Sequence, residues 1–196
     1  MSGFMWGRTR VLAWAVVLSV SAFSEQQAKT QSRVPTPEQK SYAQQSREVD
    51  AKRQALRAKA KQAYDSEMAR QKAGDCREAN NTREFNTCYD QALGSTEGNL
   101  KVFEGAIRDL LGLHYPGETE RTQGPAGPEL TPEQEVAEFD HIEQLWRSYL
   151  QSATTAAFHQ FGGGTGGPSF EMEMHLRLVR SHMAELNDIY YMALRL

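Results

Sequence analysis

No segment of this sequence alternates apolar and polar residues in the two-residue period of a half-buried strand, so the fold class it predicts is all-α. The longest apolar run, Val11 to Val20, falls short of the ~20 residues that span a bilayer, and no membrane span is expected once a leader is removed. Catalytic signatures are missing too. There is no G-x-S-x-G nucleophile turn, no H-E-x-x-H zinc helix and no C-x-x-C redox pair. Carboxylate pairs for sugar chemistry can be drawn at will from the many acids, and so free a choice carries no information. The expectation is a protein that is not an enzyme and needs no cofactor.

Cysteine is scarce: Cys76 and Cys88 are the only two. An isolated pair in an exported protein predicts a disulfide. Twelve residues of unbroken helix would hold the two Cα atoms ~18 Å apart, whereas a disulfide tolerates at most ~7 Å. A helix must therefore break between them. The predicted break is Asn80-Asn81-Thr82, with Asn81 as N-cap and Glu84 in the capping-box position. Closing so short a loop stabilises by roughly 3 kcal/mol in the chain-entropy model.

Export is read from residues 1–24, which have the order of a signal peptide: Arg8 and Arg10, then the apolar run, then Ala22-Phe23-Ser24 before a cut preceding Glu25. No cysteine adjoins the cut, and Arg8-Thr9-Arg10 is not a twin-arginine pair. The expected location is periplasmic or secreted. Residues 25–35 read as a disordered polar linker. Thr36-Pro37-Glu38-Gln39 and Thr131-Pro132-Glu133-Gln134 each announce a helix, with Thr as cap, Pro at the first helical position and Gln reaching back.

The first helix, 36–73, has a thin stripe of Tyr42, Val49, Leu56 and Ala63. The domain proper, 74–196, then follows. Its first helix carries Phe85, Cys88, Tyr89, Ala92 and Leu93, is expected to break or kink at Gly94-Ser95, and continues through Leu100, Phe103, Ile107, Leu110 and Leu111 to a C-cap at Gly112. Residues 113–130 form a long non-periodic loop. Val136, Phe139, Ile142, Trp146, Tyr149, Leu150 and Ala153 mark the next helix and read as a core stripe. Its end, Gly162 to Pro168, fits G-x-G-x-x-G by letter, but it follows a helix and lacks a phosphate-loop lysine. Ser169 is the expected cap of a last helix with Met172, Leu176, Val179, Met183, Leu186 and Tyr190 in a packing seam. The architecture is a small bundle of four or five helices with one disulfide and a long N-terminal helix.

Charge divides the chain. From Glu38 to Lys72 there are nine Lys/Arg and five Asp/Glu, a net of +4; from residue 73 to 196 there are nine and nineteen, a net of −10. The basic run Lys52, Arg53, Arg57, Lys59 and Lys61 lacks interleaved aromatics, which argues for a solvated face and against nucleic acid. His175 with Glu171 and His182 shares a helix face, but the spacing is not that of a zinc helix. No metal is expected.

The segment Asp75-Cys76 to Cys88-Tyr89, followed by Asn99, Leu100 and Phe103, and then Gln144-Leu145-Trp146 with Tyr149, a glycine-rich connection and a terminal helix, resembles the LprI-like lysozyme inhibitor domain. The resemblance covers about residues 75–190. It departs from the family pattern in lacking a second cysteine pair, whose neighbourhoods hold Thr154 and Met174. Asn99-Leu100 also inverts the usual order, and Leu150 stands where an arginine is common. What it implies is a secreted helical protein that binds and blocks a lysozyme or another basic cell-wall hydrolase, with loops 113–130 and 162–168 as places for recognition. The alternative is an envelope scaffold protein whose basic helix engages an anionic polymer or a partner helix.

Overall fold

The computed structural model describes residues 36–117, 130–162 and 164–195. The expected signal peptide, the linker to residue 35 and most of the 113–130 loop lie outside them. Five helices follow one another: α1 Pro37–Ala73, α2 Thr82–Leu111, α3 Pro132–His159, α4 Gly167–Ile189 and the short α5 Tyr191–Leu194. No strand occurs among the described residues, so the all-α expectation holds. No described helix is long and apolar enough to cross a membrane.

The caps explain where the long helices begin. The Thr36 and Thr131 side chains each accept from the backbone N–H three residues on, and the Gln39 and Gln134 side chains accept from the cap N–H groups at 3.0 and 2.8 Å. At the start of α2, Asn81 accepts from the Glu84 N–H at 3.0 Å, but the Glu84 carboxylate reaches one residue further back than expected, to the Asn80 N–H at 2.8 Å. Between α1 and α2 the chain reverses, and the Cys76–Cys88 disulfide closes the turn with Cα atoms 5.7 Å apart. Gly74 and Cys76 both have positive φ, +79° and +56°. For a cysteine the left-handed conformation costs roughly 1–2 kcal/mol, and the cross-link holds it there.

Two expectations of local structure fail. Gly94-Ser95 does not break α2 into two helices, because Ala92, Thr96 and Leu100 are buried on both sides of it and tertiary packing outweighs the ~1 kcal/mol cost of one helical glycine. Ser169 does not cap α4, which starts at Gly167 without a side-chain cap; the Ser169 hydroxyl instead donates to Asn86 on α2.

α2 and α4 are the inner helices. α1 packs on α2 and α4 from one side, α3 packs on them from the other, and α1 and α3 do not meet. The core is built from Leu100, Phe103, Ile107, Val179, Met183 and Leu186 of the inner pair, closed by Ala60 and Ala63 of α1 and by Phe139 and Leu150 of α3. Alanines make the α1 contribution look thin in sequence, yet they let α2 approach closely. The second half of α1 thus belongs to the same compact unit as the cysteine-bearing helices, while residues 36–52 are almost wholly exposed.

Candidate functional site

Each three-helix interface encloses one polar cluster, and α4 supplies both. Arg180 and His182 lie two residues apart, about 200° around the helix, so they face α1 and α3 respectively.

On the α1 side, Glu67 is fully buried at the position after Leu56, Ala60 and Ala63. Its carboxylate accepts from Arg180 Nε at 2.7 Å, Thr96 Oγ1 at 2.7 Å, Asn99 Nδ2 at 2.8 Å and Arg70 Nη1 at 3.0 Å. Burial alone would push its pKa up. The hydrogen bonds from Asn99, Thr96 and Arg180 and the charge of Arg70 outweigh that and hold it below the usual carboxylate range. Arg180 continues to Asp75 through both terminal nitrogens, at 2.5 and 3.1 Å, which ties the disulfide turn to α4. Every charge in the cluster has a partner, and its chemistry is that of a structural clamp.

On the α3 side, Glu104 of α2, Glu143 of α3 and His182 of α4 converge. His182 Nε2 lies 2.9 Å from Glu143 Oε1, and Arg147 Nη2 donates to Glu104 Oε2 at 2.6 Å. Trp146 stacks flat on the His182 ring, with centroids 4.0 Å apart and planes within 7°. With both carboxyls ionised, the other carboxylate oxygens, Glu104 Oε1 and Glu143 Oε2, have no hydrogen-bond donor. Burial and the neighbouring Glu143 carboxyl push the Glu104 carboxyl up to about 8 against the opposing charge of Arg147. Burial also pushes Glu143 up, but hydrogen bonding to His182 and to a protonated Glu104 carries it below the usual value. A shallow recess of about 420 Å³, lined by Asp140, Gln144, Arg147 and Ser148 among others, opens beside Glu143.

The outer face of α3 is different in kind. Leu145 and Tyr149, one turn apart, are 59% and 57% exposed. Glu138 and His141 continue the same stripe toward the helix start, and Glu133, Glu135 and Asp140 add to the acid on this helix, whose one Lys or Arg is Arg147; Arg108 of α2 holds Asp140 at 2.7 and 2.8 Å and His114 meets Glu133 at 3.1 Å. The core stripe expected of α3 was therefore too wide. Phe139 and Leu150 are buried and Trp146 is half-buried, while Tyr149 points into solvent.

The chain matches no family profile, no curated protein and no solved structure.

The residues that carry the LprI-like resemblance do not form one site. Leu100 and Phe103 are core, and Asn99 holds Glu67. Trp146 covers His182, and Gln144 and Tyr149 are exposed on α3. Cys76 and Cys88 are bonded to each other and border an open recess of about 1030 Å³ with Gly74, Arg77 and Asn81. His175 pairs with Glu97 at 2.7 Å; seven residues of helix separate it from His182 by ~10 Å, so the two cannot share an ion. The basic run is divided as well. Arg53 lies over the Tyr115 ring, Arg57 donates to the Ala193 carbonyl at 2.8 Å and Lys61 pairs with Asp65, leaving Lys52 and Lys59 outermost. Among the loop residues expected to recognise a partner, 118–129 and Gly163 lie outside the described residues.

Sequence reasoning missed Glu67, Glu104, Glu143 and Arg180. One signal was present: each is an ionisable residue on the apolar stripe of its own helix, as Glu143 is between Phe139 and Leu150.

Proposed function

We propose that the protein is a binding module exported to an oxidising compartment, and that it docks a basic protein on the outer face of α3. The observation that carries this reading is the Leu145–Tyr149 pair, two large apolar side chains left in solvent one turn apart on an acidic helix. A partner that covers them supplies the burial the fold withholds, and tyrosine is among the residues most enriched at interface hot spots. The surrounding carboxylates would steer a basic partner and repel an acidic one. The resemblance to the LprI-like domain supplies a basic partner of this class, a lysozyme or another basic cell-wall hydrolase, and one of the residues that carry it, Tyr149, lies on this face, with Gln144 about 100° around the helix from Leu145. Inhibition would follow from occupying the hydrolase.

The test is calorimetric titration of the oxidised protein, without its leader, against a panel of lysozymes at low and physiological salt, with a cell-wall lysis assay on the same samples. Saturable binding that weakens with salt and slows lysis is expected. Leu145→Ala with Tyr149→Ala should weaken it roughly 30-fold, the ~2 kcal/mol of a single hot spot. Failure to bind any lysozyme removes the inhibitor reading, and binding untouched by the double substitution removes the α3 face. The scaffold alternative has less support, because Arg53, Arg57 and Lys61 are already engaged within the protein.

A further inference from the structure

Two carboxylates and an imidazole, 8%, 7% and 3% exposed, meet between α2, α3 and α4 with one ligand atom from each lying within 4.8 Å of the others. So buried a pair of carboxylates cannot both stay ionised unless a positive charge joins them. Arg147 meets one oxygen of Glu104 from the solvent side and leaves Glu104 Oε1 and Glu143 Oε2 without a donor. His182 Nε2 serves only Glu143. Something small and positive fits between them.

We propose that Glu104, Glu143 and His182 form a binding site for a divalent transition-metal ion, with zinc the best fit. One nitrogen and two oxygen donors suit zinc, whereas calcium takes six to eight oxygens and magnesium keeps near-ideal octahedral oxygen geometry. Zinc–ligand distances of about 2.0–2.1 Å put tetrahedral ligands about 3.4 Å apart, so the three donors need close by at most about 1.5 Å.

The surroundings are also those of a metal ligand set. A histidine that ligates through Nε2 carries its proton on Nδ1 and donates it to a carboxylate. His182 Nδ1 has no hydrogen-bond partner among the described residues but faces Glu185 Oε2 at 3.7 Å, one turn along α4 and within reach of tightening. The Trp146 ring stacked on the imidazole fixes its plane. Three protein ligands leave a fourth position, and the recess beside Glu143 offers a way for water to take it. Such an ion would tie the second side of the bundle together as the disulfide ties the first. This inference is independent of the α3 docking surface.

The test uses the full chain without its leader, stripped with EDTA and dialysed, then titrated with Zn²⁺ alone and with Co²⁺ alone. Uptake of one equivalent, with the visible d–d bands of tetrahedral cobalt(II), is expected. Glu143→Gln and His182→Ala should each weaken binding by more than about 100-fold, and Glu185→Gln by about tenfold, as outer-shell losses do. His175→Ala should change nothing. Glu104→Gln, isosteric and free of charge, guards against a folding artefact. If it keeps the helical circular dichroism and the metal as well, the site is overturned. The proposal also falls if the unaltered protein takes up no stoichiometric metal, which would leave a shared proton as the occupant.

Discussion

Glu67 and Glu104 are both buried glutamates on α1 and α2, but they bend the stability of the protein in opposite directions with pH. Glu67 is ionised, and its folded pKa lies below its ordinary value. The stability it contributes is present above the ordinary carboxylate range and is lost as pH falls through the lowered pKa. Glu67→Ala should cost about 3 kcal/mol at neutral pH, the low end for breaking a buried ion pair, because Arg180 keeps Asp75. Urea unfolding checks it. Without bound metal, Glu104 behaves the other way. Facing Glu143 and Arg147 of α3 and His182 of α4, with Glu97 on its own helix, it stays protonated up to about pH 8. Its contribution is complete below the ordinary glutamate value and is lost as pH rises toward 8, by up to ~1.4 kcal/mol per pH unit. Glu104→Gln should flatten that alkaline slope in unfolding curves measured from pH 5 to 9. These residues were hard to read from sequence for a physical reason. A glutamate on an apolar stripe is visible, but whether it meets Arg180, as Glu67 does, or another carboxylate, as Glu104 does, depends on which helix faces it.

Elements were far more legible, because their determinants are local. The capping signals at Thr36 and Thr131 and the break at Asn81 are written within four residues each, and the helices begin there. The cysteine spacing likewise forces a reversal before any fold is known, and the disulfide closes it. Cys76→Ser with Cys88→Ser should lower the unfolding free energy by roughly 3 kcal/mol, less whatever the left-handed Cys76 recovers on release; denaturant midpoints of the oxidised, reduced and substituted proteins measure it. What local reading got wrong at this scale was decided by neighbours. Gly94 stays helical because α2 is packed on both sides of it, and Tyr149 is exposed because α2 and α4 both pack on the Phe139–Leu150 side of α3. That exposure leads to a further expectation. Leu145→Ala with Tyr149→Ala should shift stability by no more than ~0.5 kcal/mol, so any loss of binding in that variant reports on the interface alone.

In the whole molecule, α1 is half outrigger and half wall. Residues 36–52 contribute little buried surface, whereas Ala60, Ala63 and Glu67 close the core and the Arg180 clamp. A chain beginning near residue 53 should fold with nearly the stability of the longer one. A chain beginning at 74, in which the cysteine-bearing part stands alone, should lose cooperative thermal unfolding, because Arg180 would be buried beside an empty Glu67 position. Melting curves of the two truncations followed by circular dichroism distinguish the cases. The basic composition of 38–72 suggested a separable segment, and composition could not reveal that its alanines are a packing face.

Trp146 lies flat against His182, and the other tryptophans, Trp6 and Trp14, fall within the expected leader. A chain lacking residues 1–24 carries a single fluorophore of its kind, in contact with the imidazole and one turn from Tyr149. An indole stacked on an imidazole changes its emission when an ion binds that imidazole. Light from one residue would therefore report on the interior cluster and on the outer face of α3 in the same cuvette, with no label attached.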